Sequence, residues 1–352
     1  MIKDNFVLEI NTKNIINNYN FFKNLNKNLI VAPTIKANAY GMGSKKIFSL
    51  LKKNKCKHFF VATLEEGISL KNKNKKISIY VLNGIQNYNL ILFKKNNLIP
   101  IINTKTELNK IIRNNIDFGL HVDTGINRLG INYKELPEII YKNEKINILI
   151  SHLASADEKS SKFNNIQRKR FLNTITKFKN KKIIFSLSNS NGSVLSRNYL
   201  FNMIRPGIAL YGGNNKNQYL NKKLKNVILL KGKIIQIKTI NKGEFIGYNQ
   251  TYKTSKKIEI AIIGVGYADG VPRFLSNKGK VYFKKSIFNI IGRISMDSFT
   301  IDISKSKYNL KEGDYVDLIN KSFGIEKFAD SCQTISNEVI TSIGSRVKRI
   351  YV

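Results

Sequence analysis

The feature that most limits the fold is a change of rhythm near residue 224. Before it, short apolar runs alternate with longer amphipathic, lysine-rich segments; after it, strands succeed one another with no helical segment between them. The opening run, residues 1–11, alternates like a strand, residues 12–25 read as a helix, and an apolar strand then begins at Val31. Further runs come at 58–62, 78–84, 99–103, 118–123, 146–154, 182–190 and 203–208, about eight strand candidates in all. Such alternation predicts a (β/α)8 barrel, and equally a doubly wound open sheet, so periodicity alone does not choose. The polar residues favour the barrel. Lys36, Asp123, His152, Asn189 and Ser190 fall at or near the C-terminal ends of their runs, where a barrel gathers its catalytic groups. Arg205 and Pro206 lie within the last run, and Gly207 and Ile208 offer backbone N–H groups suited to phosphate.

The second half predicts strands at 227–239, 259–265, 280–283, 288–294, 298–303 and 315–318. Asn241-Lys242-Gly243-Glu244 and Lys311-Glu312-Gly313-Asp314 punctuate them as turns. The expectation is an α/β chain, an N-terminal TIM-type barrel with a C-terminal mostly-β domain. With no long Gly/Ser linker, the two are expected to pack together.

Charge suggests a different class of function, which composition argues against. A net charge of +37 ordinarily points to nucleic acid or an anionic membrane. Here the excess is lysine, accompanied by abundant Asn, Ile, Phe and Tyr and no Trp, the pattern of A/T-rich coding. The run from Lys71 to Lys76 reads as a solvated loop without the interleaved aromatics that stack on bases. Neither nucleic acid nor membrane is therefore expected as a partner. The two cysteines, Cys56 and Cys332, form no disulfide framework and suit a reducing cytoplasm. No secretory or membrane-spanning segment is apparent. With three histidines and no metal-type spacing, no metal site is expected.

One lysine stands apart from the rest. Lys36 ends an apolar strand and is succeeded by Ala37-Asn38-Ala39-Tyr40-Gly41-Met42-Gly43, small residues and glycines that let a ligand approach before a Ser-capped helix begins near Ser44. A partly desolvated amine there is suited to attack an aldehyde and later to act as a base.

Six stretches carry a resemblance: 35–41 (Ile-Lys-Ala-Asn-Ala-Tyr-Gly), Val122-Asp123-Thr124-Gly125, Arg128-Leu129-Gly130, 204–212 (Ile-Arg-Pro-Gly-Ile-Ala-Leu-Tyr-Gly), Gly266-Tyr267-Ala268-Asp269-Gly270 and Gly292-Arg293-Ile294-Ser295-Met296-Asp297. In this order they resemble the motifs of the alanine racemase family across essentially the whole chain. The resemblance implies a fold-type III enzyme using pyridoxal 5'-phosphate. It divides the chain into a strand, 1–10, joining the C-terminal domain, a barrel, 11–224, and a β domain, 225–352. The implied reaction is two-base interconversion of L- and D-alanine in a cytoplasmic homodimer with shared sites, supplying D-alanine for peptidoglycan.

By resemblance, Lys36 forms the internal aldimine, and Tyr267 enters from the opposite subunit as the second base. Arg205 partners the pyridine nitrogen and His152 stacks on the ring. Tyr40, Ser190, Gly207 and Ile208 match phosphate-binding positions, and Asn189 is counted with the cofactor set. Arg128 lies near the phenolic oxygen and the substrate, and the Met296 backbone holds the substrate carboxylate. Plainer readings stand beside these. Tyr267 could be a core tyrosine, although flanking glycines suit an exposed tip; His152 could be a satisfied buried histidine, Ser190 a helix cap, and Met296 an apolar core residue.

Two positions depart from the family. His121 stands where many members carry a lysine modified by carbon dioxide, and histidine cannot hold that carbamate; a neighbouring carboxylate or an anion is therefore expected to hold Arg128. Asn337 stands where a tyrosine is usual, so a roomier pocket and weaker discrimination against serine are expected. A broader alanine/serine racemase is the near alternative. A non-catalytic protein that binds the coenzyme is more distant, because it would lack the β domain and its Gly266-Tyr267-Ala268-Asp269-Gly270 turn.

Overall fold

The computed structural model describes residues 4–71, 74–87, 89–179 and 182–352. They form two compact units: Ile15–Lys225, and the segment ending at Asn14 together with Asn226–Val352. The lysine-rich loop at 71–76 lies partly outside the described residues, as does the start of the opening run.

The first unit is built on eight parallel strands: Ile30–Val31, His58–Val61, Ser78–Val81, Leu98–Ile102, Phe118–Asp123, Ile146–Ile150, Ile184–Ser186 and Met203–Ile204. Neighbours pair in chain order from His58–Val61 to Ile184–Ser186. Met203–Ile204 pairs with Ile30–Val31, a bridge joins Thr34 to Phe60, and the N–H groups of Asn202 and Arg205 bond Phe185 O and Ser188 O. The ring therefore closes, which excludes the open sheet. Ala32, Phe60, Tyr80, Ile101, Ile148, Ile150 and Met203 fill its interior, each large apolar side chain contributing about 1.5–3 kcal/mol by burial. Gly119 makes room for that layer, since a Cβ there would come within 2.4 Å of Ile101 and 2.6 Å of Ile148.

Two helices placed after barrel strands begin with the same device. Thr63 and Thr104 accept the N–H of Glu66 and Glu107, and each glutamate turns its carboxylate back onto the loop before it. Helix Ser44–Lys53 departs from the expectation of a serine cap. Gly43 occupies the cap position without a side-chain bond, and Ser44 is the first helical residue. The run expected at 182–190 is strand only over Ile184–Ser186; beyond it the backbone turns to carry Asn189 and Ser190.

The second unit is antiparallel. Ile258–Ile263, Phe299–Asp302, Ser286–Ile291, Lys280–Phe283, Tyr315–Ile319 and Ile228–Ile240 pair in that order, and Ile228–Ile240 returns to Ile258–Ile263 to close a second barrel. Phe6–Ile10 lies antiparallel on the first half of Ile228–Ile240, and Lys348–Tyr351 lies parallel on Phe6–Ile10. Two helices not expected from the sequence, Ile325–Ser331 and Ser336–Thr341, precede that last strand. Among the described residues, no helix is long and apolar enough to cross a membrane, and no three His, Cys, Asp or Glu side chains are gathered to hold a metal ion.

Candidate active site

The N–H of Ile35 bonds Phe60 O at 2.8 Å, so barrel pairing continues up to Lys36. The chain then makes one turn of left-handed helix: Ala37, Asn38, Ala39 and Tyr40 have φ of +50°, +54°, +55° and +53°. Each such residue costs about 1–2 kcal/mol, so the turn needs support from outside itself. Glu66 Oε1 accepts the N–H of Ala37 at 2.6 Å, and Asn38 Oδ1 accepts that of Ser44 at 2.8 Å. The lysine is thereby held at the barrel mouth. Burial lowers its pKa first and the Arg128 charge lowers it further, while Glu66 opposes both.

Arg205 is buried and almost fully used. Nη1 donates to Ser186 O at 2.8 Å and to Ser186 Oγ at 2.6 Å, and Nη2 to Ser151 O at 2.5 Å. Nη2 also lies 3.4 Å from His152 Nδ1, while Nε–H has no protein acceptor among the described residues. Burial, and then Arg128, push the guanidinium down to about 9, which leaves it charged at neutral pH. His152 is held neutral, its pKa driven well below the ordinary value by burial and next by Arg205.

Tyr40, Ser190 and Gly207 meet in a second cluster. A Cβ on Gly207 would come within 2.3 Å of the Tyr40 hydroxyl, so only glycine fits under that phenol. The N–H of Gly207 donates to Ser190 Oγ at 3.1 Å, and Ile208 is buried directly after it. Ser190 therefore serves the 207 backbone and not a helix start. Asn189 is partly committed elsewhere: its Oδ1 accepts the N–H of Gly192 at 2.9 Å.

Arg128 is exposed, yet its charge lowers the pKa of Lys36, His121, His152 and Arg205. The carboxylate expected to hold it is not there. Among the described residues no carboxylate pairs with Arg128, because the nearby Asp123 spends its oxygens on the N–H groups of Gly125 and Asn127.

In the β unit, Tyr267 is 45% exposed at the start of a short 3-10 turn, which excludes the core-tyrosine reading. Met296 is 53% exposed, so an apolar core role is excluded as well. Their loops are laced together: the N–H groups of Tyr267 and Ala268 donate to Ser295 O and Met296 O, both at 3.1 Å. A Cβ on Gly266 would come within 2.3 Å of those two carbonyls.

Both halves of the chain match known family profiles. Residues 10–215 match Alanine racemase, N-terminal domain, and residues 227–351 match Alanine racemase, C-terminal domain. The chain belongs to the alanine racemase family. Among its relatives, the alanine racemase of Rickettsia akari (strain Hartford) is 36% identical, with 98% of each chain covered. That of Rickettsia bellii (strain RML369-C) is 36% identical over 92% of this chain and 82% of its own. The crystal structure of alanine racemase from Bartonella henselae with covalently bound pyridoxal phosphate superposes with a TM-score of 0.92 at 33% identity, covering 99% of this chain and all of that one.

Supporting residues of this alanine racemase family member were not singled out from sequence. Glu66 was hidden because its partner, Ala37, lies 29 residues away, although Thr63 and Glu66 at capping-box spacing mark a carboxylate turned onto a backbone. Arg346 and Asp269, 77 residues apart, left no local signal.

Proposed function

We propose that this chain interconverts L- and D-alanine, using pyridoxal 5'-phosphate bound through Lys36, in a homodimer that takes Tyr267 and Met296 from the opposite subunit. The donor set fits that cofactor. The hydroxyls of Tyr40 and Ser190 converge on the Gly207 backbone, a donor set that suits a phosphate; the uncommitted Nε–H of Arg205 suits a ring nitrogen, and the Lys36 amine suits an aldehyde. Pyridoxal phosphate, when bound, supplies an electron sink for charge left on the substrate Cα.

The protein supplies protons and orientation. With its pKa lowered, the Lys36 amine spends more of its time unprotonated at neutral pH and is suited to take a proton from one face. Tyr267 is assigned the other face, so removal by one group and return by the other inverts the carbon. Arg205 donates without surrendering a proton, which tempers the sink and restrains transamination. Neutral His152 offers a flat ring wall, Tyr40, Ser190, Gly207 and Ile208 hold the phosphate with Asn189 behind them, and Arg128 with the Met296 backbone orients the substrate carboxylate. Two buried, unpaired cysteines agree with a cytoplasmic setting, and the D-alanine would feed peptidoglycan.

The observation that carries this reading is a half-buried lysine placed at the barrel mouth by the Ile35–Phe60 pairing, near enough to Arg128 for its pKa to be lowered and, with Arg128 and Arg205, near enough to His152 to lower the histidine's. Borohydride reduction of the coenzyme-loaded protein should leave the label on Lys36; label on another lysine, or none, overturns it. Mixing inactive Lys36→Ala and Tyr267→Phe subunits should restore activity, and none after proven exchange discards the shared site.

A further inference from the structure

His121 sits in the fully buried strand Phe118–Asp123, with Nδ1 2.9 Å from Asn103 Oδ1. Asn103 cannot be turned round, because its amide nitrogen donates to two carbonyls, Leu82 O at 2.8 Å and Ile101 O at 2.9 Å. Its oxygen therefore accepts, and the proton must be on His121 Nδ1. In a neutral ring that leaves Nε2 as a bare lone pair, and this atom is buried without a partner among the described residues. Burial, reinforced by Arg205 and Arg128, pushes the ring down to about 3, which keeps it neutral.

A buried acceptor calls for a donor. Both Nη atoms of Arg205 already donate to Ser186 and Ser151, and its Nε–H is the donor assigned above to the coenzyme's ring nitrogen. Arg128 has no ion pair among the described residues, and its charge reaches His121. The loop that carries it rests on this edge of the imidazole: a Cβ on Gly130 would lie 3.1 Å from His121 Cδ2, the atom bonded to Nε2. An anion placed there would face the lone pair instead of an N–H.

We propose that His121 is a positioning residue, a neutral imidazole fixed by Asn103 whose Nε2 accepts a hydrogen bond from the Arg128 guanidinium in the coenzyme-loaded enzyme. The kinetic consequence rests on the proposed racemase reaction; the protonation pattern does not. With an uncharged partner Arg128 keeps its full positive charge, and the enzyme needs no carbon dioxide.

The test is nitrogen NMR of the histidine-labelled holoenzyme, with His121 assigned by loss of its signals in His121→Gln. The expected result is a protonated Nδ1 and a bare Nε2 whose resonance moves when Arg128→Gln is introduced. A doubly protonated ring, a chloride-dependent shift, or an Nε2 signal indifferent to Arg128→Gln overturns the proposal. In kinetics, His121→Phe should raise the KM for alanine about tenfold, the loss of one hydrogen bond to a charged group, with smaller change in kcat. His121→Gln, which keeps an acceptor, should recover part of that loss; equal KM in both variants counts against the proposal. If borohydride labels a lysine other than Lys36, the proposed function fails, while the same spectra still show whether Nδ1 carries the proton and whether Nε2 responds to Arg128→Gln.

Discussion

Arg346 grips Asp269 with two hydrogen bonds, Nε to Oδ1 at 2.6 Å and Nη2 to Oδ2 at 3.1 Å, and its Nη2 also reaches Asp297 Oδ1 at 2.6 Å. Asp269 in turn accepts the N–H of Gly266 at 2.9 Å, and Asp297 is the residue after Met296. One guanidinium thus ties together the Tyr267 and Met296 turns.

Lysine at 346 keeps the charge but cannot fork onto both carboxylates. Arg346→Lys should lower kcat about tenfold, equivalent to roughly 1.4 kcal/mol lost in aligning the two turns. Since Arg346 is half exposed, the thermal midpoint should hardly move. Unchanged kcat, or a kcat loss that merely tracks unfolding, would remove the assigned role.

Lys36 captures the coenzyme only when unprotonated, so uptake by the apoprotein should rise with pH through a midpoint below that of an ordinary lysine. Glu66 raises that pKa and Arg128 lowers it. Glu66→Gln should therefore move the midpoint to lower pH and Arg128→Gln to higher pH. Stopped-flow absorbance against pH checks both signs, and two unmoved midpoints would discard the electrostatic account.

All three histidines are held neutral by burial first, His58 down to about 4, His121 to about 3 and His152 well below its usual range. An unfolded chain binds these protons below pH ~6.5, whereas the native chain refuses them until near its lowered values, so stability falls as pH falls through that window. Three groups give a slope on the order of 4 kcal/mol per pH unit. The thermal midpoint should drop between pH 6.5 and 4.5, about a third less steeply in His58→Asn; a flat profile would contradict the neutral assignment.

Asn337 lies in helix Ser336–Thr341 with its Oδ1 buried and unpartnered among the described residues. Replacing it by the bulkier tyrosine should cut kcat/KM for serine relative to alanine about tenfold, the scale set by a small change in pocket size. The same alanine-to-serine ratio in both proteins would show that position 337 does not set substrate breadth.

The apolar alternation was enough to read the strands of both units, because strand periodicity and helix length are local properties of the chain, but not the closure of the second sheet, which depends on Ile228–Ile240 pairing at both ends of the strand order. The ends of the runs, also a local property, are what single out Lys36, Asp123, His152, Asn189 and Ser190 in the sequence. Features that escaped were settled by distant partners. Ala37, Ala39 and Tyr40, unlike Asn38, have side chains that ordinarily favour right-handed backbone, and the bonds from Ala37 to Glu66 and from Ser44 to Asn38 hold the turn left-handed. The carboxylate expected beside Arg128 failed because Asp123 is consumed by its own turn, a short-range competition that spacing does not reveal. Ile325–Ser331 and Ser336–Thr341 are too brief to show a clear helical period.

The placement of Phe6–Ile10 bears on biosynthesis. Made before the Ile15–Lys225 barrel, this strand finds its antiparallel neighbour only when Ile228–Ile240 emerges, and its parallel one only with Lys348–Tyr351. On the ribosome, the Ile15–Lys225 barrel can form on the order of ten seconds before the opening strand is paired on both edges. During that delay the edges of Phe6–Ile10 stay open to pairing with other chains, so stretches translated far apart complete one sheet.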